Sequence, residues 1–248
     1  MEADDAGHAV EPGETMSGTL YGTGLGPGDP ELMTLKAARL ISGADVVAYP
    51  ALAGAESFAR SIAAAHLKDG AVELRLDVPM TVARGPAQAA YDAGAVEISG
   101  VLEQGTDVVF LCEGDPLFYG SFMYIQARLS GRFTVEVVPG VNSISASVAA
   151  AGPPLVARNE VLTVIPGPLA ADDMRARIEG ADAVAIMKVG RHLGKIRDVL
   201  DGLGLVDRAT YVERATLAEQ VVLPLADAPA DAPYFSMILV TKGRDQWL

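Results

Sequence analysis

The chain has 248 residues, 50% of them hydrophobic and 21% charged, with a formal net charge of −13. That is a globular composition, long enough for one large or two small α/β domains. The acidic balance argues against nucleic acid as a partner, and no apolar run is long enough to span a membrane. The single cysteine, Cys112, excludes an intrachain disulfide and a multi-cysteine zinc site and fits a reducing, cytoplasmic setting.

Residues 1–16 contain Glu2, Asp4, Asp5, Glu11 and Glu14 with no basic residue. This is the opposite of a secretory signal and reads as a disordered extension, with Met16 as an alternative start. From there strand-like runs alternate with helical patterns, an α/β arrangement with largely parallel sheets. Leu20 leads into a glycine-rich segment, Asp29 and Pro30 suit a helix start, and Leu32, Leu35, Ala38 and Ile41 recur at helical spacing. A short strand, Val46 to Tyr49, ends at Pro50. Phe58, Ile62 and Ala65 mark a second helix, and Tyr91, Ala95, Ile98 and Leu102 a third. Strands follow at Asp107 to Cys112 and Phe133 to Val138, and then a helix of small residues from Asn142 to Ala151.

Gly152-Pro153-Pro154 marks the expected boundary between an N-terminal α/β domain, 17–151, and a C-terminal one, 152–248. Beyond it strands are expected at 161–165, 183–187, 209–212, 220–223 and 234–241, with helices at 172–179 and 193–203. The last three strands have no helices between them, so this half should be mixed rather than purely parallel. No internal repeat is evident.

Three turns directly follow strands: Gly22 to Pro30, Glu113 to Pro116 and Pro139 to Ser143. In open α/β sheets ligands sit beyond the carboxyl ends of strands, so the three turns should converge on one crevice. Alone, Gly22-x-Gly24-x-Gly26 fits either a tight strand-to-helix turn or an imperfect dinucleotide fingerprint. Pro27 and the lack of an acidic residue closing Val46 to Tyr49 disfavour the second, and with it a nicotinamide-dependent oxidoreductase. Asp115 is either a turn-former or a carboxylate for a cationic ligand. The histidines His8, His66 and His192 have no metal-ligand spacing, and Cys112 at a strand end reads as core. No catalytic constellation stands out, and no metal site is expected.

Taken together, Gly22-Thr23-Gly24-Leu25-Gly26-Pro27-Gly28-Asp29-Pro30, Cys112-Glu113-Gly114-Asp115-Pro116 with Leu117 to Gly120, and Val138-Pro139-Gly140-Val141-Asn142-Ser143 resemble, in order and spacing, the three motifs of the tetrapyrrole (corrin/porphyrin) methylase family. Val47 to Pro50, Glu56 to Arg60, Val78 to Thr81 and Leu111 to Tyr124 resemble a branch of it within cobalamin synthesis. The resemblance implies two α/β domains with S-adenosylmethionine in the cleft between them, a tetrapyrrole small molecule as substrate, and a homodimer. Matched position by position, it implies cofactor contacts at Pro27, Glu113, Gly114, Asp115, Phe118, Asn142, Ser143, Met187 and Ala215. Ala215 stands where a relative has glycine. A polycarboxylate tetrapyrrole suits cationic forks. Arg84, Lys188 and Arg191, near expected loop or strand ends, are either substrate ligands or plain surface charges. Tyr49 and Tyr119 either bond the substrate or cap the core. A cofactor or tetrapyrrole sensor without turnover would share the first-domain motifs.

Overall fold

The computed structural model describes residues 17–79 and 84–243, with the side chain of Arg84 left out. The acidic segment 1–16, its His8, and any substrate contact of Arg84 lie outside the described residues. Two five-stranded sheets form. The first contains β1 (Leu20–Gly24), β2 (Val46–Ala51), β3 (Val72–Asp77), β4 (Val108–Cys112) and β5 (Val135–Val138), in the order β3-β2-β4-β1-β5 with every pairing parallel.

Period-2 alternation divides each strand between two buried faces. Val46, Ala48, Val108, Phe110 and Cys112 pack under α3 (Arg84–Leu102) and α4 (Phe122–Leu129). Val47, Tyr49, Val109 and Leu111 pack under α1 (Leu35–Gly43) and α2 (Phe58–Ala63). The expected stripe of α3, Tyr91, Ala95, Ile98 and Leu102, is buried throughout.

The second sheet has the order β6-β7-β10-β8-β9, from β6 (Leu162–Pro166), β7 (Ala183–Met187), β8 (Ala209–Glu213), β9 (Val221–Pro224) and β10 (Ser236–Thr241). Only β6 and β7 are parallel; β10 runs antiparallel to β7 and β8, and β9 antiparallel to β8. The mixed character expected from the missing crossover helices is therefore present. One face is covered by α6 (Ala171–Glu179) and α7 (Leu193–Asp201). The other receives α5 (Ser143–Ala151), whose Ile144 and Val148 pack with Ala185, Met187, Val212 and Met237. Among the described residues no helix is long and apolar enough to cross a membrane.

Several local expectations are corrected. Asp29 caps only a single 3-10 turn at Pro30–Leu32, accepting the Glu31 N–H at 2.9 Å, and α1 starts later, capped by Thr34. The buried face of this region is Met33, Ala37 and Ile41, while Leu35 is 90% exposed. At about 100° per residue Leu35 and Ile41 lie about 120° apart around the helix, whereas Ala37 and Ile41, four residues apart, share one face. β2 continues through Pro50 to Ala51. Its pairing with β4 is confined to Val47 and Ala48, so Pro50 has no ladder partner on that side to disappoint. Two elements had no expectation at all. β3 is a short edge strand, Val-Glu-Leu-Arg-Leu-Asp, that does alternate apolar with charged residues, and α4 follows a turn that hides its start.

Candidate active site

β1 lies between β4 and β5, so sheet order alone brings the three glycine-bearing turns side by side. Their main chains touch. A side-chain carbon on Gly140 would lie 2.1 Å from the Gly114 carbonyl oxygen, and one on Gly24 would lie 2.6 Å from the Gly140 nitrogen. Gly26 and Gly114 exchange backbone hydrogen bonds of 3.3 and 2.7 Å. Gly114 also has φ +63, in the region that favours glycine. Asp115 fastens the assembly. One carboxylate oxygen accepts the N–H groups of Leu117 (2.9 Å) and Phe118 (3.0 Å), and the other accepts that of Gly140 at 3.1 Å. Of the two readings of Asp115, the turn-forming one is directly visible, extended into a cross-link between two loops.

Opposite this wall stands the second sheet. Asp29 donates its N–H to Thr216 Oγ1 at 3.2 Å, which brings the first loop against the loop after β8. The resulting cleft holds about 910 Å³ of space, its open mouth included. Its lining includes every cofactor position implied by the resemblance: Pro27, Glu113, Gly114, Asp115, Phe118, Asn142, Ser143, Met187 and Ala215. Asn142 also caps α5, its Oδ1 accepting from Ile144 and Ser145 at 3.0 and 3.1 Å. Of the substrate candidates, Tyr119 and Lys188 line the cleft, the Lys188 ammonium 5.2 Å from the Tyr119 ring centroid.

Tyr49 and Arg191 are not brought to the cleft. Tyr49 is buried beside Val47, because strand alternation turns it under α1 and α2. Its hydroxyl donates to Glu73 at 2.6 Å, and Arg60 grips the same carboxylate at 2.7 and 2.8 Å. Tyr49 is thus a core residue with a satisfied hydroxyl, and Arg60 is its tie. Arg191 is exposed in the 3-10 turn that follows β7, outside the cleft lining.

Several lining residues were missed by sequence reasoning. Phe58, Arg214, Tyr234 and Phe235 form much of the mouth, with Phe58 and Phe235 ring centroids 4.9 Å apart. Tyr234 and Phe235 read as strand residues but precede β10, where the chain is free to turn them into the cleft. A usable signal was the paired aromatics beside Pro233. Backbone strain also marks the place. Tyr119 (φ 60), Lys188 (φ 56) and Arg214 (φ 47) are non-glycine residues in the left-handed region, and all line the cleft. Such conformations cost on the order of 1–3 kcal/mol each and tend to gather at functional sites.

The electrostatics are local. Desolvation raises the Glu113 carboxyl above its ordinary range, while the Ala59 backbone N–H pulls it down. Its side chain is open to the cavity yet ringed by protein, which is why desolvation prevails. Burial, and then the charge of Glu113, raise the Tyr234 phenol. Behind the wall, Glu213 is 8% exposed, accepts the Tyr211 hydroxyl at 2.7 Å and pairs with Arg214. Burial pushes the Cys112 thiol up to about 12, as befits an inert core residue. Among the described residues no group of three or more His, Cys, Asp or Glu side chains could hold a metal ion.

This arrangement suits S-adenosylmethionine. Met187, Val212, Ala215 and Leu217 offer an apolar slot, the glycine turns open main chain to a ligand, and Glu113 places negative charge in the cavity.

Comparison with known proteins agrees. Residues 19–229 match the family described as Tetrapyrrole (Corrin/Porphyrin) Methylases. The Precorrin-2 C(20)-methyltransferase of Sinorhizobium sp is 43% identical over 92% of this chain and 97% of its own length. The Cobalamin biosynthesis protein CobIJ of Mycobacterium bovis is 46% identical over 92% of this chain, which spans about half of that relative, 46% of its length. Among solved structures, uroporphyrin-III C-methyl transferase from Thermus thermophilus complexed with S-adenyl homocysteine is similar at TM-score 0.65 and 27% identity, covering 90% of this chain and 97% of that one.

Proposed function

The chain belongs to the tetrapyrrole (corrin/porphyrin) methylase family, and we propose that it transfers a methyl group from S-adenosylmethionine to C20 of precorrin-2, giving precorrin-3A in cobalamin biosynthesis. The observation that carries this reading is one cleft lined by every residue that matches the family's cofactor positions. The 43% identity to a precorrin-2 C(20)-methyltransferase along nearly its whole length supports the substrate. We further read residues 17–151 and 152–248 as the two domains flanking the cleft, and the working form as a cytoplasmic homodimer.

Bound there, the cofactor supplies an electrophilic methyl group on a cationic sulfur. The protein's part is placement. Met187, Val212 and Ala215 hold an apolar adenosine face, and the main chain of the glycine turns supplies donors and acceptors. Lys188 and Arg214 are the cations of the lining and meet the carboxylates of the tetrapyrrole, while Phe58, Phe118 and Phe235 give its flat ring an apolar seat. C20 is already nucleophilic in the reduced macrocycle, so in-line positioning accounts for most of the acceleration.

The deciding experiment incubates the protein with methyl-labelled S-adenosylmethionine and precorrin-2, metal-free and cobalt-loaded side by side. The expected product from the metal-free substrate carries one new labelled methyl on C20. Binding of S-adenosylhomocysteine with no label transfer would make the protein a sensor, and tight NAD binding would remove it from this chemistry altogether.

A further inference from the structure

We infer that Glu113 is the base that takes the C20 proton during methylation, a step that rests on the C20-methyltransferase reading. Methylation leaves C20 holding both the new methyl group and its original hydrogen, and the ring regains its conjugation only when that hydrogen leaves as a proton. The acceptor must face the cavity, have a free lone pair and retain the proton affinity for the task.

Among the described residues that line the cleft, the other candidates are disqualified one by one. Asp115 has both oxygens committed to the N–H groups of Leu117, Phe118 and Gly140. Tyr234 is held protonated by burial and by the neighbouring negative charge of Glu113. The Tyr119 ring lies against the Lys188 ammonium, and the serine hydroxyls are weak acceptors beside a carboxylate. Lys188 and Arg214 are cations, and no histidine lines the cleft.

Glu113 differs from all of these. Its carboxylate is open to the cavity and is steadied by the Ala59 N–H at the start of α2. The titratable groups that share its cleft are Asp115 on its own loop, Tyr119, Lys188 after β7, Arg214 after β8 and Tyr234 before β10, and its charge is also felt by Tyr91, Cys112 and Tyr234. Desolvation raises its proton affinity in the direction a base near neutral pH requires. That same shift works against stability. A carboxyl whose folded-state pKa is raised favours the fold at low pH, and the contribution disappears as pH climbs through the raised value.

The step balances. The electron pair of the ring enamine forms the C20–methyl bond, and the methyl–sulfur bond breaks with its pair left on a neutral thioether. The C20–H bond then breaks, its pair returns to the ring, and the proton ends on a Glu113 carboxylate oxygen.

The test uses the full chain and its Glu113→Gln and Glu113→Asp variants. For Glu113→Gln, kcat should fall by about 10²–10⁴-fold, at least about tenfold more than any loss of S-adenosylhomocysteine affinity that follows from its place in the cofactor lining. The acid limb of the kcat–pH profile should vanish with it, and precorrin-2 deuterated at C20 should show a larger isotope effect than with wild type. Glu113→Asp should recover part of kcat. The thermal midpoint of Glu113→Gln should match wild type, which separates lost chemistry from lost folding. Wild-type kcat and an unchanged pH profile in Glu113→Gln would overturn the inference, as would equal losses of cofactor affinity and rate. If wild type binds S-adenosylhomocysteine but transfers no label, the functional reading fails first and takes this step with it.

Discussion

Over the parallel sheet the cleft wall is main chain, with Gly24, Gly114 and Gly140 in backbone contact and Asp115 tying two loops together. Over the mixed sheet the wall is side chain, with Met187, Arg214, Tyr234 and Phe235 reaching inward from strand ends. The two should fail differently. A backbone wall has no slack, because added atoms meet peptide groups that cannot rotate away. A side-chain wall can be trimmed without disturbing the sheet that bears it. On the proposed function the glycine wall fixes the cofactor's position through main chain, while the side-chain wall both seats its adenosine, at Met187, and fits the substrate, at Arg214 and Phe235.

The sharpest way to break this comparison is Gly140→Ala. Its new carbon would overlap the Gly114 carbonyl at 2.1 Å and crowd the Gly24 Cα at 2.9 Å. A loss of about 3 kcal/mol in urea unfolding is expected, together with loss of S-adenosylhomocysteine binding. Wild-type stability in this variant would refute the backbone wall. Next comes Asp115→Ala, which leaves three N–H groups without their acceptor and should cost about 1–3 kcal/mol. Calorimetry should also find about tenfold weaker cofactor affinity, roughly 1.4 kcal/mol. Unchanged affinity would restrict Asp115 to bracing the loops.

Trimming the other wall should be milder for the fold. The Phe235 ring is 42% exposed, so Phe235→Ala should shift stability by about 1 kcal/mol or less. It should raise KM for the tetrapyrrole several-fold through lost ring contact while leaving cofactor affinity alone. A larger effect on the cofactor than on the tetrapyrrole would reverse the assignment of the walls.

The smallest effect is expected outside the cleft, at Glu73. The Arg60 guanidinium, and then the Tyr49 hydroxyl, hold its carboxyl below the usual range, against a desolvation that raises it. A lowered folded-state pKa stabilises above the ordinary carboxylate value near 4.5 and loses that contribution as pH falls through the lowered one. Since Arg60 is half exposed, screening should keep Glu73→Gln below about 1 kcal/mol at neutral pH. Thermal midpoints of variant and wild type should converge as the pH drops below 4.5. A gap that widens on acidification would contradict the tie.

The three turns of the parallel half were legible because their signals are local. A strand, a glycine turn and a helix cap follow one another within a dozen residues, as in Val135–Val138, Gly140 and Asn142 capping α5. Where the signal was mixed, legibility failed. β3 is a short edge strand whose Val72 is itself exposed, and α1 begins at Leu35 with Thr34 rather than Asp29 as its cap, Leu35 lying on its outer face. Tyr49 had the right residue type at a strand end, but its parity placed it on the wrong face.

The sequence by itself determined that three turns end three strands and that their glycines and Pro27, Asp115 and Asn142 belong together. Those patterns are written in consecutive residues and obey the periodicities of strand and helix. Only the tertiary structure decided what faces them. That Arg214, Tyr234 and Phe235 complete the cleft, that Tyr49 does not, and that Glu113 opens into it all depend on sheet order and strand parity. These are set by packing between segments far apart in the chain, which no local pattern encodes.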